Sequence, residues 1–378
     1  MPVRALASID VAAIERNCAR LRAVAGPRTA LMAVVKADGY GHGAVPAARA
    51  ALAGGATWLG VATAQEAARL RAAGIDARVL VLGALSDEEL PVALDADADV
   101  VAWSDAFVDR LRASGRRGVR VHLKLDVGMG RLGQRDPDAL LALGERVAAA
   151  PGLALAGAMT HFPCADEDLP RTRRQLAAFT AFGARLRARH PQVLLHAANS
   201  AATLALPEAR LDLVRCGVAI YGLDPWQRDA AAHGLEPALS LRSYVAALRP
   251  LAPGESVGYG ARFTATAPTW IATLPIGYGD GVRRACSDRA EVVVGGERRP
   301  LVGRVSMDHA TVDVGPAPRV RVGDPAWLIG GEGGVRVTAE ELAARIDTIN
   351  YEITTGLTAR VTRRCHRSAA PAPGREAR

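Results

Sequence analysis

The stretch WLGVATAQEAARLRAAGIDARVLVL, residues 58–82, reads as one complete strand–helix–strand unit. Residues 58–62 and 78–82 are short apolar runs of strand character. Between them Thr63 is placed to cap a helix, Glu66 follows three residues later as the other half of a capping box, and Gly74 stops the helix. Parallel strands need such a crossover helix, and strands covered by helices read as continuous apolar runs.

The same alternation extends from residue 30 to about 222. Strands are predicted at 31–35, 58–62, 78–82, 99–102, 120–125, 154–159, 194–197 and 211–215. Helical patterns fall at 43–54, 63–73, 86–94, 105–114, 136–150 and 168–189, with a short one from 200. Repeated strand–helix units of this number predict an α/β fold, an N-terminal (β/α)8 TIM-type barrel, with a doubly wound open sheet as the competing arrangement. From about residue 235 the pattern becomes short β-rich segments broken by Gly and Pro: SLRSYVAALRP, TWIATLPIG, AEVVVGGERR, PLVGRVSM, ATVDVG and AWLIGG. These predict a C-terminal, mostly antiparallel β domain, interrupted by a helix at 338–346. The expected domains are therefore 1–234 and 235–368, with 369–378 as a disordered tail. The length of 378 residues fits two cores better than one.

Apolar residues make up 49% and charged residues 23%, which suits a globular chain. No apolar run is long enough to span a bilayer, so no membrane association is expected. The N-terminus meets acidic residues at once and lacks a signal-peptide core. Five widely spaced cysteines argue against a disulfide framework or a metal cluster and for a cytoplasmic location. The net charge of +8 raises nucleic acid as a partner, but the arginines are scattered and form no dense run, so none is expected.

Lysine occurs only at 36 and 124 among 47 Lys and Arg residues. On a surface the two types are nearly exchangeable, so a chain that uses arginine almost everywhere has a chemical use for lysine where it keeps it. Deprotonating an ordinary lysine at pH 7 costs about 4.6 kcal/mol, and burial lowers that cost, whereas arginine stays charged. An amine that forms a Schiff base can therefore be lysine and cannot be arginine. Barrel active sites lie at the C-terminal ends of the strands. Lys36 and Tyr40 follow strand one there, Lys124 ends strand five with Arg131 after it, and His161 follows strand six. Asn199 and Ser200 follow strand seven, and Arg215 and Gly217 end strand eight. Loops after strands seven and eight often bind phosphate, and Ser200, which could also cap a helix, and the Gly217–Val218 amides are placed for that.

With these residues in view, the chain resembles the alanine racemases. AVVKADGYGHG (33–43) is similar to that family's cofactor-lysine motif. LKLDVGMGRLG (123–133), THF (160–162), HAANSAA (196–202) and RCGVAIYG (215–222) resemble further blocks in order, as do SVGYGARF (256–263), PIGYGDG (275–281), GRVSMD (303–308) and IDTINYEI (346–353). The likeness spans roughly residues 3–365. It implies pyridoxal 5′-phosphate as cofactor and a homodimer with shared active sites. The activity implied is reversible interconversion of L- and D-alanine by two bases, supplying D-alanine for peptidoglycan.

The resemblance implies a role for each residue. Lys36 forms the Schiff base with the cofactor and acts as one base, and Tyr259 is the opposing base, supplied across the dimer. Arg215 faces the pyridine nitrogen, and His161 holds Arg215 by a hydrogen bond. Tyr40, Ser200, Tyr351 and the backbone at Gly217 and Val218 bind the phosphate. Arg131 contacts the cofactor phenolate and the substrate carboxylate, Met307 gives that carboxylate a backbone amide, and Asp308 and Tyr278 lie beside it. Asn199 is a supporting group. Lys124 matches a position that is N-carboxylated (N6-carboxylysine), whose anion could orient Arg131.

Bland structural uses compete at several of these positions: a buried lysine, a hairpin tyrosine at 259, a core histidine at 161. Ser306 and the Asp38–Gly39 pair depart from residues more common in the family. GMGRLG (128–133) fits a dinucleotide-binding pattern, but no acidic residue ends the following strand, and Glu145 falls in a helix. The alternatives are a broader serine/alanine racemase, a decarboxylase of the same barrel class, and a non-catalytic cofactor-binding protein.

Overall fold

The computed structural model describes residues 3–369. The chain forms two compact units. One comprises Ile14–Ile220 with His233–Leu235, and the other comprises the chain before residue 14, Tyr221–Ala232 and the chain from Glu236.

The first unit is a parallel barrel. Its strands are Ala30–Val34, Trp58–Val61, Arg78–Val81, Asp99–Ala102, Val119–Lys124, Leu153–Met159, Leu194–His196 and Leu213–Cys216, paired in sequence order. The eighth strand pairs in parallel with the first, and its bonding to the seventh as well is what an open sheet would not allow. Between strands seven and eight, Asp212 N donates to Leu195 O (3.1 Å) and Arg215 N to Ala198 O (2.9 Å). Met32, Trp58, Leu80, Val101, Met159 and Leu213 fill part of the interior. Each such side chain withdrawn from water contributes roughly 1.5–3 kcal/mol.

The helices lie where the periodicity places them. Ala64–Ala72 begins at the capping box read from the sequence, with Thr63 Oγ1 accepting Glu66 N and the Glu66 carboxylate accepting Thr63 N. Helix Ser200–Ala205 is capped by Asn199, not Ser200: Asn199 Oδ1 accepts Ala202 N at 3.0 Å. GMGRLG opens no helix. It forms a loop gathered around Asp126, whose Oδ1 accepts from Gly128, Met129 and Gly130, and the next helix starts at Pro137.

The second unit is β-rich, as expected. One sheet orders Glu297–Pro300, Glu291–Val294, Pro325–Glu332, Leu239–Tyr244, Leu6–Asp10 and Thr362–His366, and Val335–Val337 also pairs with Pro325–Glu332. All its pairings are antiparallel except Leu6–Asp10 with Thr362–His366. Ala247–Leu251, Thr269–Leu274 and Ala310–Gly315 form a three-stranded sheet. The helix read at 338–346 is Ala339–Arg345, capped by Thr338, and a second helix spans Asn350–Thr355.

Two expectations need correction, and a third cannot be compared. Strand Leu6–Asp10 and helix Val11–Ala25 have no counterpart in the sequence reading, and the strand joins the β-rich unit, so that unit does not begin at 235. PLVGRVSM adds little strand beyond a bridge from Leu301 to Val312, because the Ser306 hydroxyl turns the chain back by accepting His309 N. The tail expected at 369–378 lies, apart from residue 369, outside the described residues.

The cysteines are free; Cys18, Cys164, Cys216 and Cys286 are buried and Cys365 is exposed. Among the described residues, no helix is long and apolar enough to cross a membrane, and no group of three or more His, Cys, Asp and Glu residues is disposed to hold a metal ion.

Candidate active site

Lys36 lies two residues past the first barrel strand, and the chain then turns left-handed. Ala37, Asp38, Gly39, Tyr40 and Gly41 all have positive φ, between 50° and 84°. Each non-glycine residue there costs roughly 1–2 kcal/mol, so a run of this kind persists only where its surroundings fix it. Gly39 N bonds to Val35 O (2.9 Å), Gly41 N to Ala37 O (3.0 Å) and Gly43 N to Asp38 O (2.8 Å). The turn leaves Lys36 half-buried and Tyr40 buried. Burial, and then the Arg131 cation, hold the Lys36 amine below its ordinary range, with Glu66 opposing. A depressed amine has a larger neutral, nucleophilic fraction at neutral pH.

Arg215 is buried at the end of strand eight without a carboxylate partner among its hydrogen bonds. Its Nη2 donates to Thr160 O (2.6 Å) and Ala197 O (3.0 Å), and its Nη1 to His196 O (2.9 Å) and His196 Nδ1 (3.1 Å). The histidine that holds it is thus His196, and not His161 as expected. His196 shares the barrel interior with Arg215, whereas His161 lies just past its strand. Behind His196, the ring nitrogens continue inward. His196 Nε2 meets His122 Nδ1 at 2.9 Å, and His122 Nε2 meets Asp99 Oδ2 at 3.1 Å. A guanidinium only donates, so His196 Nδ1 must accept; that fixes both imidazoles as Nε2–H tautomers pointing toward Asp99. Burial, then Arg215, hold His196 well below the usual histidine range, and burial lowers His122 as well. Burial pushes Arg215 down to about 10, which leaves it cationic at neutral pH. Asp99 also accepts from Arg120 (2.5 Å) and Arg78 (2.6 Å).

Ser200 is buried beside the start of the loop after strand eight, and its Oγ accepts Gly217 N (3.1 Å) and Ala219 N (3.4 Å). Gly217 admits no side chain, because a Cβ there would run into the Tyr40 hydroxyl. Burial, then Cys216, raise the Tyr40 phenol to about 12, so it is a neutral donor. Ser200, Tyr40 and the 217–219 backbone therefore converge. Asn199 spends its Oδ1 on capping the helix.

Lys124 is buried at the end of strand five. Burial, then Arg215 and Arg131, lower its amine to about 8. Burial, then the cations of Arg215, Lys124, Arg131 and Lys36, hold His161 well below the usual histidine range. Arg131 is exposed on the Asp126-centred loop. One rim thus gathers Lys36, Lys124, Arg131 and Arg215, with Asp126 and Glu66 as nearby carboxylates. That field suits an anionic group.

The other unit carries the remaining expected residues. Tyr259 is 71% exposed on a single turn, Tyr259–Ala261, between the short paired strands Ser256–Val257 and Phe263–Thr264. Tyr278 and Met307 are exposed and adjoin, since Tyr278 N donates to Ser306 O (3.0 Å) and Gly279 N to Met307 O (2.9 Å). Asp308 is engaged by Arg360 (2.5 Å), which holds its carboxyl below the usual range. Tyr351 lies on helix Asn350–Thr355.

A parallel barrel that gathers a depressed lysine amine, a buried arginine without a carboxylate partner and a converging donor set on one rim defines a barrel enzyme with a cationic site. Comparison with known proteins narrows this. Residues 9–225 match the alanine racemase N-terminal domain and residues 238–365 the alanine racemase C-terminal domain. The chain is 46% identical over 367 residues to the alanine racemase of Thermobifida fusca, covering 94% of this chain and 96% of that one. It is 43% identical over 363 residues to that of Symbiobacterium thermophilum, with the same coverage. The crystal structure of the alanine racemase of Streptomyces lavendulae superposes with a TM-score of 0.91 at 40% identity, covering 98% of each chain. The chain belongs to the alanine racemase family, a family of isomerases.

Proposed function

We propose that this chain interconverts L- and D-alanine with pyridoxal 5′-phosphate as cofactor, as a cytoplasmic homodimer that supplies D-alanine for peptidoglycan. The observation that carries the reading is the Lys36 amine, depressed and set on the same rim as Arg215 and the Ser200–Gly217 cradle, in a chain of this family. The donor set fits the cofactor: the rim is strongly cationic, Gly217 is open where a Cβ would strike Tyr40, and Arg215 lacks an anionic partner.

When bound, the cofactor supplies an aldehyde that condenses with an amine and a conjugated ring that accepts the electron pair left at Cα. Lys36 would hold it covalently. Tyr40, Ser200 and the backbone at Gly217 and Val218 would bind its phosphate, and the family likeness extends that duty to Tyr351. Arg215 would donate to the ring nitrogen without giving up a proton, which keeps that nitrogen unprotonated and the ring a moderate electron acceptor. Lys36 then moves a proton at Cα on one face and Tyr259 of the partner subunit on the other. Two bases are needed because one alone tends to return the proton to the face it left. Arg131, Met307, Asp308 and Tyr278 are proposed for the substrate carboxylate and its surroundings.

Lys124 is proposed to be carboxylated. Its lowered basicity lets the ammonium shed one proton to give the neutral amine that attacks carbon dioxide, and carbamate formation releases a second, so an anion replaces a cation among arginines. A bare amine in the mass spectrum, with carbon dioxide present at neutral pH, contradicts this. The activity test is a coupled assay on L-alanine and L-serine with wild type and Lys36→Ala. Wild type is expected to racemise alanine in preference, and Lys36→Ala to lose about 100-fold or more. No turnover of L-alanine by wild type overturns the reading.

A further inference from the structure

Glu66 was read from the sequence as half of a capping box, and its two oxygens have different employment. Oε2 serves the cap, accepting Thr63 N (3.3 Å) and the neighbouring Ala62 N (2.8 Å). Oε1 has no part in the cap. It accepts Ala37 N at 2.6 Å, the amide that directly follows Lys36 and begins the left-handed run. One helical turn further on, Arg69 reaches Asp38 Oδ1 (3.0 Å), the same oxygen that accepts Ala44 N (3.0 Å). Helix Ala64–Ala72 therefore grips the turn after Lys36 at two points. Asp38 is one of the residues by which this chain departs from the commoner family pattern.

We propose that Glu66 is a positioning residue for Lys36: by holding the Ala37 amide it fixes the peptide between Lys36 and Ala37 and so the direction from which the amine approaches. The inference rests on the racemase reading, because a base confined to one face must be held in one place. Displacements of about 1 Å in such geometry cost on the order of 100-fold in rate. The exposed Asp38–Arg69 pair adds little by itself. The Glu66–Ala37 bond acts directly on the backbone of the reacting residue.

The test compares Glu66→Ala, Glu66→Gln and Thr63→Ala in the full-length chain. The readouts are kcat and KM for L-alanine, and the rate at which the cofactor-free protein forms a borohydride-trapped adduct with pyridoxal 5′-phosphate at Lys36. Thr63→Ala removes the cap and leaves the Ala37 contact, so it should lower Tm while both rates stay within about twofold of wild type. Glu66→Ala should lower kcat and adduct formation at least about tenfold with little change in KM. Glu66→Gln keeps an oxygen for Ala37 N and should recover both to within about threefold. Wild-type rates in Glu66→Ala, equal losses in Thr63→Ala, or failure of Glu66→Gln to recover each overturn the proposal. Should Glu66→Ala not fold, amide exchange in the wild-type holoenzyme decides: a slowly exchanging Ala37 supports the contact and a rapidly exchanging one overturns it. A wild-type chain that forms no adduct at Lys36 overturns the racemase reading and this inference with it. Normal wild-type behaviour with an unaffected Glu66→Ala overturns the inference alone.

Discussion

His196 rather than His161 receives the Arg215 guanidinium, and the difference has consequences for single residues. A buried cation that loses an acceptor keeps its desolvation cost. His196→Ala is therefore expected to destabilise the protein by about 1–3 kcal/mol, measured by urea denaturation, whereas His161→Ala should cost less. Lys124 gives a test in pH. Its folded-state pKa, about 8, lies below its ordinary 10.5. Between those values the unfolded chain binds more protons, so the Lys124 contribution makes stability rise with pH across that window. Below pH 8 the buried cation carries its full penalty. In carbon-dioxide-free buffer, wild type should gain more stability from pH 8 to 10.5 than Lys124→Met does. Equal gains would show that the amine is not depressed.

At the scale of elements, the barrel strands and helices were legible because each carries its own signal: apolar runs, caps and stops. The site was legible where chemistry demands a residue type, as with Lys36 and Lys124 in an arginine-rich chain. The relay behind Arg215 was not read, although part of its signal is local. His122 and Lys124 stand two apart on one strand and so share its inward face, and Asp99 is an acid at the head of an otherwise apolar strand. What joins them is sheet pairing, which periodicity does not specify residue by residue. The left-handed turn was likewise invisible, since Ala37 and Tyr40 are not residues that prefer positive φ. Its tight fit predicts that Gly217→Ala, by driving a methyl group into the Tyr40 hydroxyl, weakens pyridoxal 5′-phosphate binding at least about tenfold and costs roughly 1–3 kcal/mol of stability. Equilibrium titration of the visible absorbance checks the first. Unchanged affinity would remove the 217–219 backbone from the binding set.

At the scale of the whole molecule, the sequence pattern located two kinds of architecture but missed how the chain is shared between them. Strand Leu6–Asp10 has the length and alternation of many strands, and only its pairing with Leu239–Tyr244 and Thr362–His366 assigns it to the β-rich unit. Tyr259, carried by that unit, is 71% exposed on its turn. The proposal that it serves a partner's site gives that exposure a use.

The central claim is that two bases, Lys36 and a partner's Tyr259, flank one carbon. Its most direct test is the L-alanine to D-alanine turnover of Tyr259→Phe, a change that removes one hydroxyl. The account predicts a fall of about 100-fold or more, with the visible band of the bound cofactor retained. Racemisation of L-alanine at the wild-type rate in that variant would contradict it.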